Sequence, residues 1–114
     1  MRTPEFSARL SAGSLSEVEG HWDIVINATS SSLGRHRPDL PDGIFAPGSL
    51  AYDMMYAAQP TPFMQYAQQQ GAGHVSDGLG MLVGQAAASF AIWHNAEPDV
   101  TPVLMALRQH ILVP

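Results

Sequence analysis

The chain has 114 residues, the size of one ordinary domain or of a part of a larger one. Hydrophobic residues make up 46% of it and charged residues only 13%, whereas charged residues make up about 25% of a typical domain. So few charges on a small body indicate that part of the surface is covered by another domain or chain. The formal net charge is −5 and no basic cluster is present, which argues against nucleic-acid binding.

The chain has no cysteine, which excludes disulfides, thiolate zinc ligands and a thiol nucleophile, and agrees with a cytoplasmic location. Residues 1–6 lack the apolar segment of a secretory signal, and they are either native or remnants of an expression vector. The longest apolar stretch, residues 79–93, is shorter than the roughly 20 residues of a membrane-spanning helix, so we expect no membrane contact. The five histidines lack the spacing of a zinc-binding helix, and no metal site is predicted.

The first predicted elements lie in the amino-terminal quarter of the chain. Residues 10–15 give a weak strand signal, and residues 16–19 are predicted to form a brief turn or helix. Residues 24–26 are three consecutive β-branched side chains with no polar alternation. This pattern is typical of a strand that is covered on both faces, and it predicts such a strand over residues 22–27.

A long connection separates the first strand from the second. Proline, aspartate and glycine punctuate residues 35–48, which are therefore predicted to be loop. Residues 49–54 are predicted to form the second strand. A helix is expected to begin at Thr61 and Pro62, since a hydroxyl cap followed by proline is a favoured helix start, and to end at Gly71.

The carboxyl-terminal part is predicted to contain a short strand and two helices. The strand covers residues 74–76, and a long helix over residues 79–93 is apolar almost all round, which predicts burial on most sides. Asp99 is expected to cap a final helix whose apolar positions follow helical spacing. This order of elements predicts an α/β fold, a partial Rossmann-like, doubly wound parallel sheet of about three strands flanked by helices.

Candidate ligand contacts follow the first two strands, and ligands of open α/β sheets bind beyond the carboxyl ends of strands. Ala28, Thr29 and Ser30 are small enough for a ligand to approach the backbone, although a simple serine turn would show the same composition. Met54 ends the second strand, where a polarizable thioether can pack on a flat heterocycle or fill a core. Tyr56 can present its hydroxyl to a polyol or a carboxylate, or lie at an edge.

The start of the long helix is a further candidate. Gly78 allows a tight turn that leaves its carbonyl open to a ligand amide, at a helix terminus with unpaired N–H groups. Neither glycine-rich phosphate motif is present. Gln85 shares a helix face with Ser89, and a buried amide there needs a partner. That partner is either a substrate hydroxyl or a neighbouring carbonyl.

Four short sequence motifs, taken together, resemble those of one known family. INATS stands at residues 26–30, YDM-x-Y at 52–56, TPF at 61–63 and DGLGMLV-x-Q at 77–85. The same succession is found in shikimate dehydrogenases, and the resemblance covers roughly residues 10–112. It implies that the chain is similar to the carboxyl-terminal part of that family.

The resemblance implies NADP as cofactor and the interconversion of 3-dehydroshikimate and shikimate, in the pathway of aromatic amino-acid biosynthesis. Residues 23–114 would be the carboxyl-terminal half of the cofactor domain, and residues 1–22 a remnant of the preceding βα unit. By position in the motifs, the cofactor-binding residues would be Ala28, Thr29, Ser30, Met54, Gly78 and Met81. The substrate-binding residues would be Tyr56 and Gln85.

Several family motifs have no counterpart in these 114 residues: the catalytic Lys/Asp pair, the S-x-S substrate motif, the glycine-rich pyrophosphate turn and the basic adenosine-reading string. No catalytic residue is therefore assigned. Because hydride and proton transfer need positioned reactants, we expect no dehydrogenase activity from this polypeptide alone, and weak affinity for NADP. A non-catalytic interaction module and one subunit of a split enzyme remain alternatives. The sequence leaves open whether the cofactor is NADP or NAD, and whether the substrate is shikimate or quinate.

The resemblance also predicts an unpaired strand. The strand that contains residues 24–27 normally pairs with a strand that has no counterpart here. An apolar edge with unpaired backbone groups is a template for another chain, so we expect a homodimer or other assembly through residues 24–27.

Overall fold

The computed structural model describes residues 9–31 and 36–112. Residues 1–6, which are either native or vector-derived, lie outside these ranges. Three strands form one parallel sheet in the order β1 (Trp22–Asn27), β2 (Phe45–Asp53) and β3 (His74–Ser76). Helices flank this sheet, so the predicted α/β, partial Rossmann-like fold is confirmed. Among the described residues β1 is an edge strand, since it pairs only with β2.

The described residues form three α-helices, two of which begin at the predicted caps. Helix α1 (Pro62–Gln69) begins after Thr61, whose side chain accepts a hydrogen bond from the Met64 amide at 3.2 Å. Helix α2 is Leu79–His94, and α3 is Val100–Leu112. Asp99 Oδ1 accepts from the Thr101 amide at 3.2 Å, as expected of a cap. No helix within residues 9–31 and 36–112 is long and apolar enough to cross a membrane.

Two predictions about the strands are wrong. Residues 10–14 have no regular structure, and Leu15–Glu17 is a single 3₁₀ turn, so no strand forms there. Strand β2 begins at Phe45, inside the stretch that was predicted to be loop. The register passes from Trp22↔Phe45 to Ile24↔Leu50, so β2 bulges between these pairs. The bulge accommodates Pro47, which has no N–H, and Gly48, which has φ +74°. Because proline and glycine are also typical of loops, this part of β2 was predicted to be loop.

The hydrophobic core lies on one face of the sheet. Phe63, Tyr66 and Ala67 of α1 are buried against Ala51 and Phe45 of β2. The rings of Phe45 and Tyr66 meet edge to face with centroids 5.6 Å apart, and Phe63 is completely buried. Helix α1 thereby packs on one face of β2 and β3 and helps to position their carboxyl ends.

The predicted burial of β1 and of α2 is wrong for this chain. Ile24 and Ile26 of β1 are 60% and 59% exposed, so one face of that strand is uncovered. Leu79 and Val83 are the buried residues of α2, while Trp93 is 77% exposed. Helix α2 packs against α3 rather than being enclosed. Apolar periodicity predicts a need for cover, and the described residues do not provide that cover for either element.

Candidate functional site

The carboxyl ends of β1 and β2 are fastened together. The Met54 amide donates to the Asn27 carbonyl at 3.0 Å, which continues the parallel pairing past the last strand residue. The side chain of Asn27 is buried, and its Oδ1 accepts from the amide and the hydroxyl of Thr29 at 3.1 and 2.7 Å. The loop that starts at Ala28 is therefore held at its base, while Ala28, Thr29 and Ser30 are exposed at the surface.

The start of α2 abuts the end of β2 directly. A Cβ atom on Gly78 would overlap the carbonyl oxygen of Met54 and lie 2.6 Å from its carbonyl carbon. The Gly78 amide donates to the Met55 carbonyl at 2.9 Å. Only glycine permits this approach, so Gly78 and Met54 lie side by side. The Gly78 carbonyl accepts from Leu82 at 3.0 Å and retains its second lone pair for a ligand donor.

A bidentate ion pair fixes the same helix terminus to α3. Arg108 donates to both carboxylate oxygens of Asp77, at 2.7 and 2.9 Å. Asp77 Oδ1 also accepts from the Leu79 amide at 3.2 Å, so Asp77 satisfies the first amide of α2 from the residue before its N-cap. Sequence reasoning missed Arg108, because an arginine on an amphipathic helix gives no signal of its partner. The pair is a clamp between α2 and α3 at the edge of the candidate site.

The Asp77–Arg108 clamp should make stability depend on pH. The hydrogen bonds from Arg108 hold the pKa of Asp77 below its ordinary value, against the opposing effect of burial. A lowered pKa in the folded state stabilises the fold above the ordinary aspartate pKa of about 4, and this contribution disappears as pH falls through the folded-state value. Arg108→Ala should therefore cost about 1 kcal/mol at pH 7, a figure limited by solvent at the 39% exposed arginine side chain.

Urea unfolding at pH 7 and pH 3 measures this effect. The difference between the original chain and Arg108→Ala should shrink at the lower pH. Arg108→Lys is the matched control, since it retains the charge but loses the bidentate geometry. Its free energy of unfolding at pH 7 should lie between those of the original chain and Arg108→Ala. An equal difference at both pH values would show that the ion pair does not stabilise the fold.

The remaining predicted site residues lie on open surfaces. Tyr56 is 40% exposed in the irregular segment after β2, and Met54 is 39% exposed. Met81 and Gln85 are exposed on α2 and, four residues apart, share one face. Gln85 therefore reaches solvent and needs no buried partner. Hydrogen bonds and close packing join the Thr29 loop, Met54 and Gly78, whereas no hydrogen bond among residues 9–31 and 36–112 joins Tyr56 or Gln85 to them.

An apolar cavity lies elsewhere, along β1. It has a volume of about 280 Å³, includes Ile24 and Ile26 in its lining, and reaches the candidate site only at Asn27 and Thr29. Met54, Gly78 and Gln85 do not line it. The candidate site is thus an exposed wall and not an enclosed pocket. A ligand bound there would be covered only if other polypeptide closed the opposite side.

The chemistry of this wall is neutral. Its accessible groups are hydroxyls, an amide, backbone groups and two methionine thioethers, which suit a flat polar ring or a polyol better than an isolated anion. Within the described part of the chain no group of three or more histidine, aspartate or glutamate side chains could hold a metal ion. The arrangement can bind and orient a ligand, and the described residues place no proton-transfer group against it.

Known proteins are similar to this chain in sequence and in fold. A family model described as the shikimate 5'-dehydrogenase C-terminal domain matches residues 78–108. A protein of Bordetella avium named shikimate dehydrogenase (NADP(+)) is 62% identical over 102 residues, which are 90% of this chain and 36% of that protein. The chain belongs to the shikimate dehydrogenase family. It spans about a third of the length of its relatives.

Solved structures of similar proteins contain the same fold. Shikimate 5-dehydrogenase from Thermus thermophilus, in complex with NADP(H) and shikimate, is 30% identical with a TM-score of 0.64, and the match covers 76% of this chain and 33% of that one. The ligand-free 5-ketofructose reductase of a Gluconobacter species is 31% identical with a TM-score of 0.65, covering 88% and 35%. Two differently named enzymes thus share the fold, so the fold alone does not specify the substrate.

Proposed function

We propose that this chain forms the nicotinamide-side wall of an NADP-dependent shikimate dehydrogenase, which reduces 3-dehydroshikimate to shikimate. The observation that carries the proposal is the contact between Gly78 and Met54, which brings the start of α2 to the end of β2 beside the Thr29 loop. The family's motif residues that are expected to meet the cofactor thereby share one surface. A carboxyl-edge site of this kind is where open α/β sheets bind their ligands.

The proposed roles follow from the exposed groups. Met54 and Met81 would pack on the nicotinamide ring, the Gly78 carbonyl would accept from its carboxamide, and the loop of Ala28, Thr29 and Ser30 would line the adjoining ribose. Bound NADPH supplies a hydride for the ketone carbon of the substrate. Tyr56 and Gln85 would hold the substrate through its oxygens by hydrogen bonds. None of these residues is assigned to donate the proton that the carbonyl oxygen needs. We therefore expect that this polypeptide alone does not catalyse the reaction.

The experiment that tests the proposal is an NMR titration of the labelled 114-residue chain with two halves of the cofactor. Reduced nicotinamide mononucleotide should shift the resonances of Thr29, Met54 and Gly78, because it carries the group that this wall contacts. Adenosine 2′,5′-bisphosphate should leave them unchanged, since the motifs that read it have no counterpart here. A chain that responded only to the adenosine half would contradict the proposal.

A matched pair of variants sharpens this titration. Met54→Ala should weaken binding of the nicotinamide probe by about twofold to tenfold, because one thioether–ring contact is worth about 0.3–1.5 kcal/mol. Met105→Ala makes the same change at a 59% exposed position of α3 and should have no effect. A parallel assay with shikimate and NADP should detect no turnover. Equal losses in both variants, or measurable turnover, would overturn the assigned roles.

We further propose that the chain assembles through β1, either with a second copy or, in a split enzyme, with a complementary chain. The support is the edge position of β1, with Ile24 and Ile26 more than half exposed beside an apolar cavity. Unpaired strand edges recruit further strands unless charge or proline prevents it. This edge has neither on its exposed apolar face, so a homodimer is the expected state of the isolated chain.

Light scattering of the purified chain tests the proposed homodimer. The original chain should have the mass of two copies at high concentration, and Ile26→Lys should reduce it to one, since a lysine on an edge strand disfavours pairing with another strand. Ile92→Lys places the same charge on α2 at an 81% exposed position and should leave the dimer intact. A monomeric original chain, or dissociation by the α2 variant alone, would refute an interface at β1.

A further inference from the structure

A fully buried carboxylate lies beneath the candidate site. Asp53 is the last residue of β2 and is 0% exposed. Its Oδ2 accepts from the Thr61 hydroxyl at 2.6 Å, and its Oδ1 accepts from the Met55 amide at 3.0 Å and the Asn27 side-chain amide at 3.4 Å. Burying a carboxylate is unfavourable unless hydrogen bonds satisfy its oxygens. Three donors from three segments provide such bonds here.

The direction of these hydrogen bonds is fixed by the partners. The Thr61 oxygen already accepts from the Met64 amide, so the hydroxyl hydrogen is directed to Asp53. The Met55 backbone N–H is a donor only, and Asn27 uses its carbonyl oxygen to accept from Thr29. These three partners all donate to Asp53, and a carboxylate offers them acceptor oxygens on both sides of the group. An asparagine in its place would direct an NH₂ group at one of these donors.

Each of the three donors belongs to a segment that carries or supports a proposed ligand contact. Asn27 holds Thr29 at the base of the loop after β1. The Met55 amide fixes the turn between Met54 and Tyr56. Thr61 starts α1, which supports β2 and β3 from the core side. One carboxylate thus links the Thr29 loop, the Met54 turn and the start of α1, in addition to the backbone bond from the Met54 amide to the Asn27 carbonyl.

We propose that Asp53 is a positioning residue for the nicotinamide wall: it orders the loop after β1 and the turn after β2 without touching the ligand itself. The inference deepens the proposed function and rests on it for the ligand. The ordering itself is independent of any ligand. Asp53→Asn should loosen both segments while the core around Phe63 and Ala67 remains formed.

Hydrogen exchange of backbone amides, followed by NMR on the 114-residue chain, tests the ordering. In Asp53→Asn, exchange of the Thr29 amide should accelerate about tenfold, since the Asn27 side chain that accepts from this amide loses one of its own hydrogen bonds. The Val83 amide of α2 should be unaffected. Asp39→Asn makes the same change at an exposed carboxylate and should alter neither. Uniform acceleration across the chain would show a merely structural role and overturn the proposal.

Two substitutions at Thr61 provide the rescue test. Thr61→Val keeps the shape but removes the hydroxyl that bonds Asp53 and caps α1. Like Asp53→Asn, it should accelerate exchange at Thr29, and both variants should bind the nicotinamide probe more weakly. Thr61→Ser restores the hydroxyl and should restore both. If the original chain does not bind the nicotinamide probe, the proposed function fails while exchange at Thr29 still decides the ordering. Unchanged Thr29 exchange in Asp53→Asn, whatever the probe does, overturns the role of Asp53.

Discussion

Gly78→Ala should lower the free energy of unfolding by about 3 kcal/mol, at the upper end of the usual cost of overpacking. The added methyl group would overlap the Met54 carbonyl, which is backbone and cannot rotate away like a flexible side chain. Hydrogen bonds on both sides prevent relief by a local shift, since the Met54 amide is bound to Asn27 and the Gly78 amide to Met55. The helix terminus must therefore separate from the strand end.

Gly78→Ala should impair ligand binding more than it impairs folding. Where Gly78→Ala remains folded at low temperature, the separated helix terminus no longer lies beside Met54, so the nicotinamide probe should fail to shift either residue. Urea unfolding measures the first effect, and the NMR titration measures the second. Loss of stability with probe binding intact would show that the contact between α2 and β2 is structural only.

Gly80→Ala is the matched control for Gly78→Ala. The same methyl group at Gly80 meets no atom within 4 Å, and this glycine lies inside α2 with an ordinary backbone conformation. Alanine is favoured over glycine within helices by about 1 kcal/mol, so this variant should be as stable as the original chain or more stable. Two glycines two residues apart should thus respond with opposite signs. Equal destabilisation would show that α2 tolerates no alanine near its start.

The fold was predictable wherever a local pattern determines local structure. The β-branched residues of β1 and the cap–proline pair at Thr61 and Pro62 each specify an element without help from the rest of the chain. Likewise Asp99 marks the start of α3 before any tertiary contact is known. The start of β2 at Phe45 was missed because a bulge and a loop use the same proline and glycine signals.

The site was predictable only through its motifs, since its geometry depends on contacts between distant residues. Periodicity identifies α2 as apolar, yet no local pattern says that Gly78 touches Met54 or that Arg108 clamps Asp77. Asp53 was part of a quoted motif, but a polar residue at a strand end has the same appearance whether it is exposed or fully buried. Burial is a property of the assembled fold, and the described residues leave most of α2 exposed.

Phe63→Ala should have the largest effect on stability, a loss of about 3–5 kcal/mol. Phe63 is completely buried, and its ring centroid lies 6.4 Å from those of both Phe45 and Tyr66. Truncation would remove the centre of this aromatic cluster and leave a cavity between α1 and the sheet. Because domains have only about 5–15 kcal/mol of stability in total, much of the chain should unfold at moderate temperature.

Phe90→Ala separates this effect from a general sensitivity to losing an aromatic ring. Phe90 lies on α2, is 44% exposed and stacks near His94, so its truncation should cost about 1 kcal/mol or less. Thermal and urea unfolding of both variants measure the contrast. Comparable losses would mean that α2 and α3 share the cooperative core. A large loss at Phe63 alone would establish that the stability of the site wall comes from the α1 face of the sheet, leaving the opposite face of β1 free to bind another chain.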